Sequence, residues 1–186
     1  MKRIFVAIPV NFELLGLTRS FVSLNDSMLH EGPLKKFRWT REENLHITLL
    51  FVGEVEEKLI AELTEKVKIV SSGKQPFELK FDTFSFAANR KSPRMIWASF
   101  KPSHEFATLH HQLIEGIGSI KKVEAGRENP IPHITLARFT PVKNHGLFLK
   151  QPSQKKNLTV RSFELWQSNF GKEGVSYESL AVFPLG

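Results

Sequence analysis

The chain has 186 residues, 41% of them hydrophobic, which suits one domain or one domain built of two lobes. It contains no cysteine, so disulfides, thiol nucleophiles and cysteine-based metal sites are excluded, and a reducing cytoplasm is the expected location. The formal net charge of +7 and the pI near 9.7 favour an anionic partner, such as nucleic acid or a phosphorylated metabolite.

The first half of the chain is predicted to alternate strands and helices. The apolar run 4–10 indicates a buried first strand, because it is too short for a membrane span and no small-residue cleavage site follows it. Apolar residues then recur at spacings of three and four over 14–28, which predicts an amphipathic helix. An extended segment over 37–53 and a second helix over 59–70 complete this half.

The second half is dominated by predicted strands with short or hairpin-like connections. Ser103 can cap a third helix, which carries apolar residues to position 120. The other segments read as extended, and they cover residues 77–83, 94–100, 133–136, 157–169 and 175–183. Because strands outnumber helices and hairpins outnumber crossovers, we predict an α+β fold with antiparallel sheets.

Two strings in the predicted strands share one pattern, Leu-His-Ile-Thr-Leu around His46 and Pro-His-Ile-Thr-Leu around His133. Successive side chains of a strand point to opposite faces, so His46 shares a face with Thr48, and His133 shares one with Thr135. The aliphatic residues between them face a core. One such string is ordinary strand patterning, but two copies, one in each half of the chain, indicate paired halves facing a common cleft.

Two histidines in one cleft can supply an acid and a base, because imidazole titrates near neutral pH. Hydrolysis at phosphorus needs both, one to take a proton from the attacking oxygen and one to protonate the leaving oxygen. Threonine hydroxyls and a guanidinium can hold the other phosphate oxygens. Arg138 is the candidate guanidinium, but it has the opposite strand parity to His133. A bulge or the end of the strand would have to redirect it.

Metal binding is the competing use of histidines. The chain has no His-Glu-x-x-His string and no carboxylate triplet at ligand spacing, so we predict neither a metal nor a cofactor. Adjacent His110 and His111 would point in different directions on a helix. Surface or capping roles are predicted for these two and for the other histidines outside the motifs, which are His30, His104 and His145.

With its paired motifs, the chain strongly resembles the 2H phosphoesterases, which are named for two His-x-Thr-x motifs. Within them it is similar to the bacterial and archaeal RNA 2′,3′-cyclic phosphodiesterases, historically called 2′–5′ RNA ligases. The resemblance runs nearly from end to end. It rests on the opening strand 3–8, the first motif at 44–55, a central strand at 93–97, the second motif at 132–138, and Ser168, Gly174 and Tyr177 of a closing hairpin.

The resemblance implies one bilobal domain over residues 1–186, with two antiparallel sheets related by a pseudo-twofold axis around a central cleft and helices outside. It also implies metal-free hydrolysis of 2′,3′-cyclic phosphate ends of RNA or nucleotides to 2′-phosphomonoesters. By this analogy His46 protonates the departing 3′ oxygen and His133 activates water. The phosphate would be held by Thr48, Thr135 and Arg138.

The resemblance also places Phe5 in the cleft as a possible base contact, with a core role as the alternative. The chain departs from its relatives at Ile131, where they often carry a polar or aromatic residue, which affects base contacts near the second motif. A monomer without membrane attachment is expected. Reversible 2′–5′ ligation, action on 2′–5′ oligonucleotides or ADP-ribose cyclic phosphate, and non-catalytic binding of RNA ends remain open alternatives.

Overall fold

Three α-helices and ten strands are present in the computed structural model, which describes residues 1–87, 91–123, 130–143, 146–172 and 174–186. The helices are α1 (Phe12–Glu31), α2 (Ile60–Ser71) and α3 (His104–Ile117). The strands are β1 (Lys2–Pro9), β2 (Arg38–Trp39), β3 (His46–Val55), β4 (Phe77–Leu79), β5 (Phe81–Ala87), β6 (Met95–Phe100), β7 (His133–Arg138), β8 (Leu158–Val160), β9 (Ser162–Gly171) and β10 (Gly174–Pro184). The predicted α+β class is confirmed.

An eight-stranded antiparallel sheet forms the centre of the molecule, with the strand order β10-β9-β1-β3-β7-β6-β5 and with β2 paired to β7. One half of this sheet consists of β10, β9, β1 and β3, and the other consists of β7, β6, β5 and β2. The halves meet at β3 and β7, which share only the pair Ile47–Ile134. The two sheets implied by the resemblance are therefore two halves of one sheet, joined at a single residue pair.

The helices cover the face of the sheet opposite to the histidines. Asn11 caps α1, since its side chain accepts a hydrogen bond from the Leu14 amide at 3.0 Å, and Ser103 caps α3 in the same way. The apolar stripes of all three helices pack in one core with the inward residues of β3 and β7. Ile47 and Ile134 have no exposed surface in this core, so the apolar side of each motif is anchored as predicted.

The segment 77–83 differs from its prediction as one half-buried strand. It forms parts of two strands, because β4 pairs with β8 in a separate two-stranded sheet and β5 pairs with β6 in the main sheet. Lys80 lies between them. Alternation of apolar and polar residues continues through both strands, and it carries no information about which partner each of them has.

Candidate active site

The two motifs lie side by side on adjacent antiparallel strands. Continuing the ladder from the pair Ile47–Ile134 places each histidine beside the threonine of the other motif, on the face away from the core. His133 is close enough to His46 to contribute to lowering its pKa. Both imidazoles can therefore face one anion on this side of the sheet.

His46 is held by hydrogen bonds on both ring nitrogens. Its Nδ1 lies 2.7 Å from the carbonyl oxygen of Asn44, so Nδ1 carries the proton and donates it. The neutral ring then has its lone pair on Nε2, which accepts from the Thr48 hydroxyl at 3.1 Å. This arrangement fixes one tautomer and leaves Nε2 as the ring nitrogen that can take up a proton.

Three aromatic rings surround His46. Their centroids lie 5.1 Å (Phe5), 5.2 Å (Trp166) and 5.1 Å (Tyr177) from the centroid of the imidazole. This burial lowers the pKa of His46 to about 4; the bond to Asn44 opposes the shift, and nearby positive charge adds to it. His46 is therefore neutral in the free protein at pH 7.

His133 is held by a hydrogen bond and by a ring contact. Its Nδ1 donates to the carbonyl oxygen of Ile131 at 2.8 Å, so its Nε2 also points towards the site. The imidazole stacks on Trp97 of β6, with 3.7 Å between ring centroids and 23° between planes. Ile131 contributes its backbone to the site, so its aliphatic side chain leaves the orientation of His133 unaffected. Stacking against Trp97 holds the imidazole of His133 in one plane.

Arg138 reaches the site because β7 contains a β-bulge. The ladder between β6 and β7 skips Leu136, which has no partner between Thr135 and Ala137. Leu136 and Ala137 are both buried, so the alternation restarts and Arg138 falls on the same face as Thr135. The parity conflict in the sequence is resolved by this bulge.

The first motif has the same irregularity. The ladder between β1 and β3 skips Leu49. Leu49 follows His46 by three residues, just as the skipped Leu136 follows His133 by three residues in β7. Burial along the first six residues is identical in the two strands: half-buried, buried, half-buried, buried, buried, exposed. Phe51 therefore occupies in β3 the position that Arg138 has in β7.

The guanidinium of Arg138 lies in a basic part of the site. Partial removal of the Arg138 guanidinium from water lowers its pKa. The charges of Arg38 and Arg94 lower this pKa further, and Tyr177 raises it. An arginine remains charged at pH 7 in spite of such a shift. Its Nη1 contacts the sulfur of Met95 at 3.4 Å. An anion bound here would relieve the mutual repulsion of the three guanidinium groups.

The position of Phe5 favours its alternative role in the core. Only 2% of its surface is exposed, because its ring is packed between His46, Trp166, Tyr177 and Phe51. A stacked base needs an open ring face. Phe5 therefore packs against His46 inside the site, and its role as a base contact stays a prediction.

Sequence reasoning missed the roles of Trp97, Trp166 and Tyr177, which pack around the histidines. Trp166 is itself positioned, because its Nε1 donates to the Glu164 carboxylate at 2.7 Å, as does the Ser179 hydroxyl at 2.6 Å. Alternation along a strand shows which residues share a face. It does not show that β9 and β10 bring that face to the first histidine.

His110 differs from its predicted role as a surface or capping residue, because it is buried, with 7% of its surface exposed. Its Nδ1 donates to the carbonyl oxygen of Leu49, the bulged residue of β3, at 2.7 Å. The corresponding carbonyl oxygen of Leu136 accepts from the Thr40 amide at 2.7 Å. Both bulges are thus held by a donor from outside the strand pair. Of the other histidines with this prediction, His145 lies outside the described residues.

We expect His110→Ala to lower the free energy of unfolding by about 1–3 kcal/mol, because the buried carbonyl of Leu49 would lose its donor. Urea unfolding monitored by circular dichroism measures this change. The exposed neighbour His111, replaced in the same way, serves as the control. Equal stabilities of the two variants would show that the bulge does not depend on His110.

The described face thus combines two histidines, two threonine hydroxyls and a guanidinium, which defines a site for acid–base chemistry on an anion. Among the described residues, no group of three or more His, Cys, Asp or Glu is placed to hold a metal ion. None of the helices that the structure describes has the length and apolar character of a membrane span.

Comparison with known proteins agrees with this class. The family model of LigT-like phosphoesterases matches residues 24–97. An Archaeoglobus fulgidus protein named RNA 2′,3′-cyclic phosphodiesterase is 34% identical over 146 residues, covering 76% of this chain and 80% of that protein. A Thermotoga maritima protein of the same name is 27% identical over 183 residues, covering 96% of this chain and 92% of that protein.

Solved structures show the same fold. TT0787 of Thermus thermophilus superposes with a TM-score of 0.80 at 22% identity, covering 98% of this chain and 97% of its own. Apo LigT of E. coli gives a TM-score of 0.76 at 22% identity, with 99% and 97% covered. The chain belongs to the 2H phosphoesterases, in the LigT-like family of RNA 2′,3′-cyclic phosphodiesterases.

Proposed function

We propose that this protein is an RNA 2′,3′-cyclic phosphodiesterase, which opens cyclic phosphate ends to 2′-phosphomonoesters. The observation that carries the proposal is the pairing of β3 with β7, which brings His46 and His133 to one face beside Arg138. The names of its curated relatives support the reaction. Such a reaction needs one proton acceptor and one proton donor on opposite sides of phosphorus, and no protein nucleophile.

In the proposed reaction, His133 takes a proton from water as the water oxygen bonds to phosphorus. The bond between phosphorus and O3′ breaks, and the proton on Nε2 of His46 passes to O3′. Arg138 and the hydroxyls of Thr48 and Thr135 bind the non-bridging oxygens, where negative charge accumulates in the transition state. Exchange with solvent then returns both imidazoles to their starting states.

His46 must gain a proton before it can act as the acid, because its pKa of about 4 keeps it neutral in the free protein. Binding of the phosphate anion favours this protonation, since a negative charge beside an imidazole raises its pKa. We therefore propose that substrate binding and proton uptake by His46 are coupled. The protonated ring, pressed between aromatic side chains, is then a strong proton donor.

The low pKa also predicts a pH-dependent stability. As pH falls from 6.5 towards 4, the unfolded chain binds a proton at this histidine before the folded one does, so stability falls in that window. From pH 7 to pH 4.5 we expect a loss of about 2 kcal/mol that His46→Gln abolishes. Urea unfolding of both proteins at the two pH values measures the difference. An equal pH dependence would mean that His46 is not held neutral.

The activity is tested with purified protein and a nucleoside 2′,3′-cyclic phosphate in the presence of EDTA. Formation of the 2′-phosphate is the expected result, and a 3′-phosphate or no product would contradict the proposal. Faster turnover of 2′–5′ oligonucleotides or ADP-ribose cyclic phosphate would assign a related 2H activity. Salt-dependent RNA binding without turnover would assign a non-catalytic binder of RNA ends.

We also propose that residues 1–186 act as one unit, because each half of the sheet supplies one histidine. The cytoplasmic location, the monomeric state, the independence from metal and cofactor, and reversible 2′–5′ ligation stay predictions. Gel filtration and a ligation assay with a 2′,3′-cyclic phosphate end and a 5′-hydroxyl end test the monomer and the ligation.

A further inference from the structure

Two phenylalanines are exposed on the face of the sheet that carries the histidines. Phe51 of β3 has 64% of its surface exposed and Phe170 of β9 has 66%. Phe51 contacts Phe5, with 6.0 Å between ring centroids, directly beside the buried ring that supports His46. Large exposed apolar rings beside a proposed active site point to a function in binding.

Phe170 lies on the same face, further from the histidines. The ladder between β1 and β9 is regular, and it pairs Phe5 with Trp166 and Arg3 with Ser168. Phe170 is two residues beyond Ser168, so it points to the face that Trp166 occupies. The ring of Tyr177, the partner of Ser168 on β10, also contacts the first histidine. Aromatic rings thus extend from that histidine along β9 and β10, with Ser168 between Trp166 and Phe170 on this face.

Arg3 adds a positive charge to this surface. Its guanidinium lies over the ring of Phe170, with 5.7 Å from Cζ to the centroid. The Arg3 side chain is exposed and takes part in no ion pair with the residues that the structure describes, although Glu54 lies opposite it on β3. We call Phe51, Phe170 and Arg3 the outer track.

We propose that the outer track binds the nucleotides that precede the cyclic phosphate end of an RNA strand, so that the enzyme favours oligonucleotides over mononucleotides. This inference rests on the proposed function. Surfaces that bind single-stranded nucleic acid combine aromatic rings, on which bases stack, with positive charge for the phosphates, and the outer track has both. Tyr177 is close both to this track and to the phosphate site, because the charges of Arg3 and of Arg138 both act on it. The end of the strand would lie at Arg138.

The test compares a nucleoside 2′,3′-cyclic phosphate with a hexanucleotide that ends in the same cyclic phosphate. Wild-type protein should have the higher kcat/KM on the hexanucleotide. Phe170→Ala should reduce that value about 5- to 150-fold, mainly through KM, since this is the range found for a lost base stack. Its kcat/KM on the mononucleotide should stay within about twofold, because Phe170 does not contact the proposed phosphate site.

Phe148→Ala is the matched control, because Phe148 is 86% exposed and lies outside the sheet. It should leave both substrates unaffected. Arg3→Gln should weaken binding of the hexanucleotide and reduce the slope of log affinity against log salt concentration by about one. Thermal unfolding of each variant checks that the fold is intact.

Equal kcat/KM values for the two substrates in the wild type, or equal losses on both in Phe170→Ala, would overturn the inference. A change of molecular mass in Phe170→Ala with unchanged kinetics would assign the surface to contact between copies of the chain, and would overturn it as well. If neither substrate reacts, the proposed function fails. Fluorescence anisotropy with a labelled hexanucleotide then still shows whether the outer track binds RNA, since Phe170→Ala must weaken that binding.

Discussion

Replacing His46 or His133 with alanine should each lower kcat/KM for a cyclic phosphate by about 10²–10⁴-fold, the usual contribution of one positioned acid or base. The rings face one site from adjacent strands, so neither can substitute for the other. Initial rates of 2′-phosphate formation measure the effect. His104→Ala, at an exposed histidine that begins α3, should keep full activity.

The roles of the two histidines can be separated with a substrate in which sulfur replaces O3′. A thiolate leaves without being protonated, because the pKa of a thiol is about 8.5. His46→Ala should therefore recover most of its activity on this substrate, and His133→Ala should not. The opposite pattern would exchange the acid and the base, and recovery in neither variant would exclude a proton donor among the two.

Removing the guanidinium of Arg138 should lower kcat by about 10²–10³-fold, as loss of one donor to a transition-state oxyanion does. Arg138→Lys should recover only part of this loss, since an ammonium group cannot make two parallel hydrogen bonds to a phosphate. Single-turnover kinetics on a cyclic phosphate measure the chemical step directly. Arg161→Ala, at an exposed arginine before β9, controls for the loss of one positive charge.

Replacing Arg138 with alanine also separates function from folding. Arg38 and Arg94 repel the Arg138 guanidinium in the free protein. Arg138→Ala should therefore leave the melting temperature unchanged or raise it, while activity falls. A large drop in melting temperature would instead mean that Arg138 supports the fold, and the loss of activity would then carry no information about phosphate binding.

Several features of the site depend on hydrogen bonds and register that no local pattern encodes. The position of Arg138 is the clearest example, because strict alternation would point it away from His133. A bulge at Leu136 reverses this, and the bulge depends on how β6 and β7 pair. His110 is similar, since its bond to Leu49 joins residues that are distant in sequence.

From the amino-acid sequence one can read the α+β class, the three helices and the shared face of histidine and threonine in each motif. These follow from periodicity and capping, which are local properties of the chain. The resemblance to the 2H phosphoesterases was equally readable, because it rests on short strings such as those around His46 and His133.

Long-range contacts, which appear only in the folded chain, set which strands are neighbours and therefore what surrounds each ring. The aromatic burial that lowers the pKa of His46, the stacking of His133 on Trp97 and the covering of Phe5 all follow from strand order and register. The physical reason is that desolvation and ring contact depend on distances between residues far apart in the chain. Alternation within one strand fixes the face of a side chain but not its neighbours.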